Sequence, residues 1–275
     1  MLGKKPTSSL LWPQRVPDTG MRLFCFPYAG GAPAAFFGWA EILGPEIEVV
    51  CVQPPGRGAR FLEKAYSRLD LIIEEATQAL SAYRDRPFAF YGHSLGAWVA
   101  FEVMRRLRMD GRRQPVHFFA AASRPPHLGP LSPPIRDLPN EAFLEAIQNR
   151  YAGIPAEIRN EPELLEFFLP VLRGDFAAYE TYVCKEEAPL GVPFTALTGA
   201  DDHLVTPEIT KQWERHTQAG FEMQIMQGDH FFLNTSRDAL LELIRDRLFG
   251  DKPLERGTPG KPCAGTQPAA TDRAG

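Results

Sequence analysis

The sequence predicts an α/β protein, one mostly parallel sheet with helices on its faces. Three observations carry this reading. Short apolar, β-rich runs recur along the chain, longer stretches with helical spacing separate them, and the chemically capable residues stand directly after the runs. A length of 275 residues at 44% hydrophobic composition suits a single domain with a large core.

The expected strands are 21–26, 47–52, 88–91, 115–121, 194–198 and 222–226. A first helix is expected near 36–43 and a second over 69–83. A third, over 95–108, would carry Val99, Ala100, Val103, Met104 and Leu107 on one apolar face. From about 130 to 188 the strand–helix rhythm breaks. There Pro125, Pro126, Pro130, Pro133 and Pro134 lead into helical patterns over 140–149 and 162–182. Such an insertion would form a helical lid over the carboxyl edge of the sheet, where open α/β sheets bind their ligands. Thr206 and Pro207 read as an N-cap and a first helical residue, opening a helix toward His216. A last helix is expected over 236–249. Residues 1–19 are expected to be an N-terminal extension and 20–249 the domain. The Gly-, Pro-, Thr- and Ala-rich residues 250–275 are expected to be a disordered tail.

Composition excludes several roles. A formal net charge of −4, with scattered Lys and Arg, offers no footprint for nucleic acid. Cys25, Cys51, Cys184 and Cys263 lack any metal-ligand spacing, so no metal site is expected. Cys25 and Cys51 lie in apolar runs, which fits a reducing compartment. The N-terminal residues contain no apolar stretch of signal-peptide length and no run approaches a membrane span, so a cytoplasmic protein is expected.

The strongest chemical signal is Gly92-His93-Ser94-Leu95-Gly96, a G-x-S-x-G pattern between an expected strand and an expected helix. Small residues around a serine allow the sharp turn that projects its hydroxyl, and that context points to the α/β-hydrolase fold with Ser94 as nucleophile. The Leu95 N–H, at the start of the helix, is placed to donate to a developing oxyanion. A serine needs a base and the base needs an orienting acid, in the chain order Ser, acid, His. Gly199-Ala200-Asp201-Asp202 and Gly228-Asp229-His230-Phe231-Phe232 each follow a strand. His230 is therefore the expected base. Asp202 is preferred to Asp201 as the acid because it lies three residues past Gly199 and three before Val205. A second oxyanion donor should come from the turn after an early strand, and Ala29 in Phe26-Pro27-Tyr28-Ala29-Gly30-Gly31 is nominated. His93 is expected to pack beside the turn.

Taken together these residues resemble the type II thioesterases of polyketide and nonribosomal peptide synthetase systems. Alongside the motifs above stand Gln53-Pro54-Pro55-Gly56-Arg57-Gly58-Ala59-Arg60, similar to a P-G-R-x-x-R loop, and Leu169-Pro170-Val171-Leu172-Arg173-Gly174-Asp175-Phe176 in the lid. The match spans about residues 20–248. It departs in having Pro54-Pro55 where the family loop often reads Leu-Pro, and in the tail beyond Gly250. The resemblance implies hydrolysis of acyl thioesters from the phosphopantetheine arm of an acyl or peptidyl carrier protein, clearing stalled or wrongly primed units. No cofactor is implied, because the phosphopantetheine belongs to the partner, and a monomer is expected. Arg57, Arg60 and Arg173 either meet phosphate or an acidic carrier surface, or are solvated or in intramolecular ion pairs. Phe143, Ile147, Phe167, Phe168 and Leu172 either line the acyl pocket or pack between helices. The competing readings are a carboxylesterase for small free esters, a non-catalytic hydrolase-like binding protein, and a thioesterase domain of a megasynthase. The last is disfavoured by a chain that starts at Met1.

Overall fold

The apolar runs become a seven-stranded sheet in the computed structural model, which describes residues 8–16, 19–83, 85–131, 133–151 and 161–250. Strands β2 (Met21–Phe26), β3 (Ile47–Val52) and β4 (Phe88–His93) are buried at every position. That burial explains their continuous apolar character, since a strand covered on both faces has no polar side to show. β5 (Phe118–Ala121), β6 (Phe194–Gly199) and β7 (Phe221–Met226) follow, and the order across the sheet is β1-β3-β2-β4-β5-β6-β7. All neighbours from β3 to β7 are parallel. Strand β1 (Leu10–Leu11) is the exception, pairing antiparallel with Val52 and Cys51. It was not expected, because two residues carry no periodicity.

Helices cover both faces. α2 (Leu69–Leu80) and α3 (Leu95–Met109) bury Ile72, Ala76, Trp98 and Val103 against Phe24, Phe26, Phe88 and Phe90. α1 (Trp39–Leu43) and α8 (Arg237–Phe249) close the other face over Leu23, Cys25, Val49 and Tyr91. Each fully buried Phe or Leu contributes roughly 1.5–3 kcal/mol relative to an exposed one. Several helices differ from expectation at their ends. A 3₁₀ turn over Pro33–Phe36 precedes α1, and α6 (Pro207–Lys211), capped by Thr206, passes into a 3₁₀ turn over Gln212–His216. Before α8 stands a separate short helix, α7 (Phe232–Thr235).

Between β5 and β6 lie α4 (Asn140–Tyr151) and α5 (Pro162–Thr181). They share a core of Ile135, Phe143, Ile147, Leu172 and Phe176, with Ala29 and Phe168 packed against it. Phe167 instead is 73% exposed. Among the described residues no helix is long and apolar enough to cross a membrane. Residues 251–275, where a tail is expected, lie outside the described residues.

The strand order turns at the boundary between β2 and β4, with β3 on one side and β5 on the other. There the chain leaves two adjacent strands in different directions and opens a crevice at their carboxyl ends. Phe26 pairs with Gly92, so the turns that follow β2 and β4 emerge side by side.

Candidate active site

Ser94 follows β4 with φ 53° and ψ −117°, a backbone conformation that non-glycine residues seldom adopt. Its neighbours make that turn feasible. A Cβ on Gly96 would lie 2.1 Å from the Phe26 carbonyl oxygen, and one on Gly92 would lie 2.5 Å from the Ala97 Cα. Both positions therefore require glycine. The Ser94 N–H donates to the Ala121 carbonyl at 2.8 Å, tying the turn to β5. Leu95 opens α3, where the first N–H groups of a helix have no intrahelical acceptor.

The other two groups arrive from β6 and β7. Gly199 ends β6, where a Cβ would lie 2.2 Å from the Asp229 carbonyl oxygen, so this glycine lets the two loops touch. His230 Nδ1 lies 2.7 Å from Asp202 Oδ2, and His230 Nε2 lies 3.1 Å from Ser94 Oγ. Asp202 Oδ1 accepts from the N–H groups of Leu204 at 3.0 Å and Val205 at 3.1 Å. Burial opposes ionisation of Asp202. The His230 hydrogen bond and charge and those two N–H donors outweigh it, holding the carboxyl below its ordinary range. Asp201 is exposed, with its N–H given to the Gly228 carbonyl. The structure thus joins Ser94, His230 and Asp202 in one chain and leaves Asp201 outside it.

The turn after β2 closes through the Gly31 N–H and the Tyr28 carbonyl at 2.8 Å, with Gly30 at φ 75°. Ala29 and Leu95 line the same pocket as Ser94 and His230. Ile147, Leu172 and Phe176 from α4 and α5 make much of the wall of that pocket, which opens to solvent. Ile147 and Leu172 therefore both pack between helices and face the pocket.

A thioesterase-domain family model matches residues 21–248. This chain belongs to the thioesterase family. It is a hydrolase acting on thioesters. Among its relatives, Linear gramicidin dehydrogenase LgrE of Brevibacillus parabrevis is 40% identical over 88% of this chain and 93% of that one. Thioesterase PikA5 of Streptomyces venezuelae is 34% identical over 90% of this chain and 88% of that one. The structure of the thioesterase RedJ, from the prodiginine biosynthetic pathway in Streptomyces coelicolor, matches with a TM-score of 0.79 at 37% identity, covering 89% and 96% of the two chains.

Three arginines of this thioesterase are engaged within the molecule. Arg57 forms a two-pronged ion pair with Asp175, at 2.7 and 2.8 Å. Arg60 pairs with Glu63 and Glu75 and donates to the Gln53 carbonyl. Arg173 donates to the carbonyls of Arg136 and Leu138 and lies over the Phe143 ring. The expected intramolecular ion pairs describe Arg57 and Arg60, whereas Arg173 is held by carbonyls and by Asn140 Oδ1. His93 is the residue whose part the sequence understates. It is fully buried, and beyond packing it hydrogen-bonds Tyr91 Oη and the His230 carbonyl.

Proposed function

We propose that this thioesterase removes acyl groups from the phosphopantetheine arm of acyl or peptidyl carrier proteins, clearing stalled or aberrant intermediates in polyketide or nonribosomal peptide assembly. The observation that supports it most is the hydrogen-bonded chain Ser94–His230–Asp202 opening on a pocket walled by Ile147, Leu172 and Phe176. Such a wall suits an acyl chain, and the relatives' names refer to gramicidin and prodiginine.

In this reading Ser94 Oγ attacks the thioester carbonyl while His230 Nε2 takes its proton. Asp202 stays ionised and holds the His230 Nδ1–H, so that Nε2 is free to accept. The N–H groups of Ala29 and Leu95 stabilise the tetrahedral oxyanion. Collapse breaks the carbon–sulfur bond, and the proton on His230 goes to the departing pantetheine thiol. Water then attacks the acyl-serine, gives its proton to His230, and the free acid leaves as Ser94 regains its hydrogen. We further propose a cytoplasmic monomer, which light scattering would check.

The test presents one acyl group on a phosphopantetheinylated carrier protein, on a small thiol and as an oxyester, with wild type beside Ser94→Ala. Preference for the carrier-bound thioester, with turnover lower by several orders of magnitude in the folded mutant, is the expected result. Better turnover of the oxyester would assign the site to small free esters instead.

A further inference from the structure

We infer that Asp175, on α5, is a positioning residue for the oxyanion turn, so that turnover requires α5 to be seated against the Tyr28–Gly31 turn. The inference rests on the reading of Ala29 as an oxyanion donor given above.

Asp175 is 1% exposed. Its Oδ2 accepts the Gly30 N–H at 2.6 Å and an Arg57 N–H at 2.7 Å, while Oδ1 accepts a second Arg57 N–H at 2.8 Å. The same guanidinium donates to the Gly31 carbonyl at 3.2 Å. One ion pair therefore grips the turn from both sides, by the N–H of Gly30 and the carbonyl of Gly31. Fixing the Ala29–Gly30 peptide plane limits, through the dihedral angles of Ala29, where the preceding N–H can point. That preceding N–H belongs to Ala29.

The approach of α5 is close along this stretch. A Cβ on Gly30 would lie 2.6 Å from Leu172 Cδ2, one on Gly56 would lie 3.1 Å from Val171 Cγ2, and one on Gly174 would lie 2.6 Å from the Tyr66 carbonyl oxygen. Three glycines thus let the helix lie close against the turn, the Arg57 loop and the Ala65–Tyr66 segment that follows it. Stability is a weak reason for the ion pair, because a buried pair is often matched by apolar residues of similar volume. What apolar residues cannot supply is an acceptor for the Gly30 N–H.

Two double variants separate these roles without stranding a buried charge. Arg57→Met with Asp175→Leu removes pair and acceptor; Arg57→Met with Asp175→Asn removes the charges and keeps an acceptor for Gly30. Both are assayed on an acyl thioester of N-acetylcysteamine and with a trifluoromethyl ketone, whose serine adduct carries the oxyanion. The leucine pair should lose about 100-fold in kcat, the scale of one oxyanion donor, with little change in KM and a matching loss of ketone affinity. The asparagine pair should recover most of both. A folded leucine pair with unchanged kcat and ketone affinity would overturn the inference. So would a folded asparagine pair as impaired as the leucine pair, because the acceptor is then present without effect. Loss of carrier-protein preference in the wild type would count against the proposed function alone, since this comparison uses only the small thioester.

Discussion

His93 Nε2 lies 2.8 Å from the carbonyl oxygen of His230, so the residue before the serine grips the backbone of the loop that carries the histidine. A carbonyl only accepts, so Nε2 carries the proton. Burial, with the charge of His230 added, pushes the His93 pKa down to about 3, and the neutral ring then accepts the Tyr91 hydroxyl at Nδ1. His93→Phe should lower kcat by about 100-fold, the effect of a displacement near 1 Å, and leave KM almost unchanged. His93→Gln, which returns a donor near the Nε2 position, should recover much of the loss. Steady-state kinetics on one acyl thioester decides it, and equal activity in the Phe and Gln variants would reduce His93 to packing.

The two adjacent aspartates make a sharper pair of variants. Asp202→Asn takes the charge from beneath His230 and favours the wrong tautomer, so turnover should fall by about 10⁴-fold. Asp201→Asn, altering an exposed side chain, should stay within about twofold of wild type. Matched pH–rate profiles would expose a reversal of the two.

Glycine substitutions should sort by what their new Cβ meets. Gly96→Ala, facing the Phe26 carbonyl oxygen at 2.1 Å, should unfold the elbow or abolish turnover. Gly191→Ala, with nothing within 4 Å, should shift stability by no more than about 0.5 kcal/mol. Urea unfolding of both proteins measures the contrast.

Acid should destabilise the protein before its carboxylates titrate. Burial pushes His117 down to about 4 and, with the neighbouring His127 and arginines, His216 down to about 3; His93 behaves likewise. An unfolded histidine titrates near 6.5, so between that pH and about 4 the unfolded chain binds protons that the folded chain refuses. The contribution of these groups is intact above pH 6.5 and declines as pH falls through this window. Urea midpoints measured from pH 7 to pH 4 should drop, and His216→Phe should make the slope shallower by up to one proton. An unaltered slope would show that His216 titrates normally.

Much of this was legible in the sequence, and for a local reason. The elbow is a contiguous strand–turn–helix pattern around Ser94, and Asp202 and His230 stand where two further strands end. Asp175 is a different matter, because it meets Gly30 across 145 positions and nothing near either residue announces the contact. His93 reaches a carbonyl 137 residues away. For Arg57, Arg60 and Arg173 residue type left two roles open, and only the carboxylates and carbonyls folded around them distinguish the roles. β1 exists by pairing with β3 and has no local pattern of its own.

The pairing of Phe26 with Gly92 makes the reaction a gauge of correct folding. A slip of β2 by one residue along β4 would carry the Ala29 turn about 3.3 Å from its place beside Ser94, farther than a hydrogen bond can stretch. Helix and strand content would be the same, and circular dichroism would report a native protein. With Ala29 as the proposed oxyanion donor, turnover would fall about 100-fold. Among refolded preparations of equal helicity, turnover per molecule therefore counts the fraction whose central strands are in step.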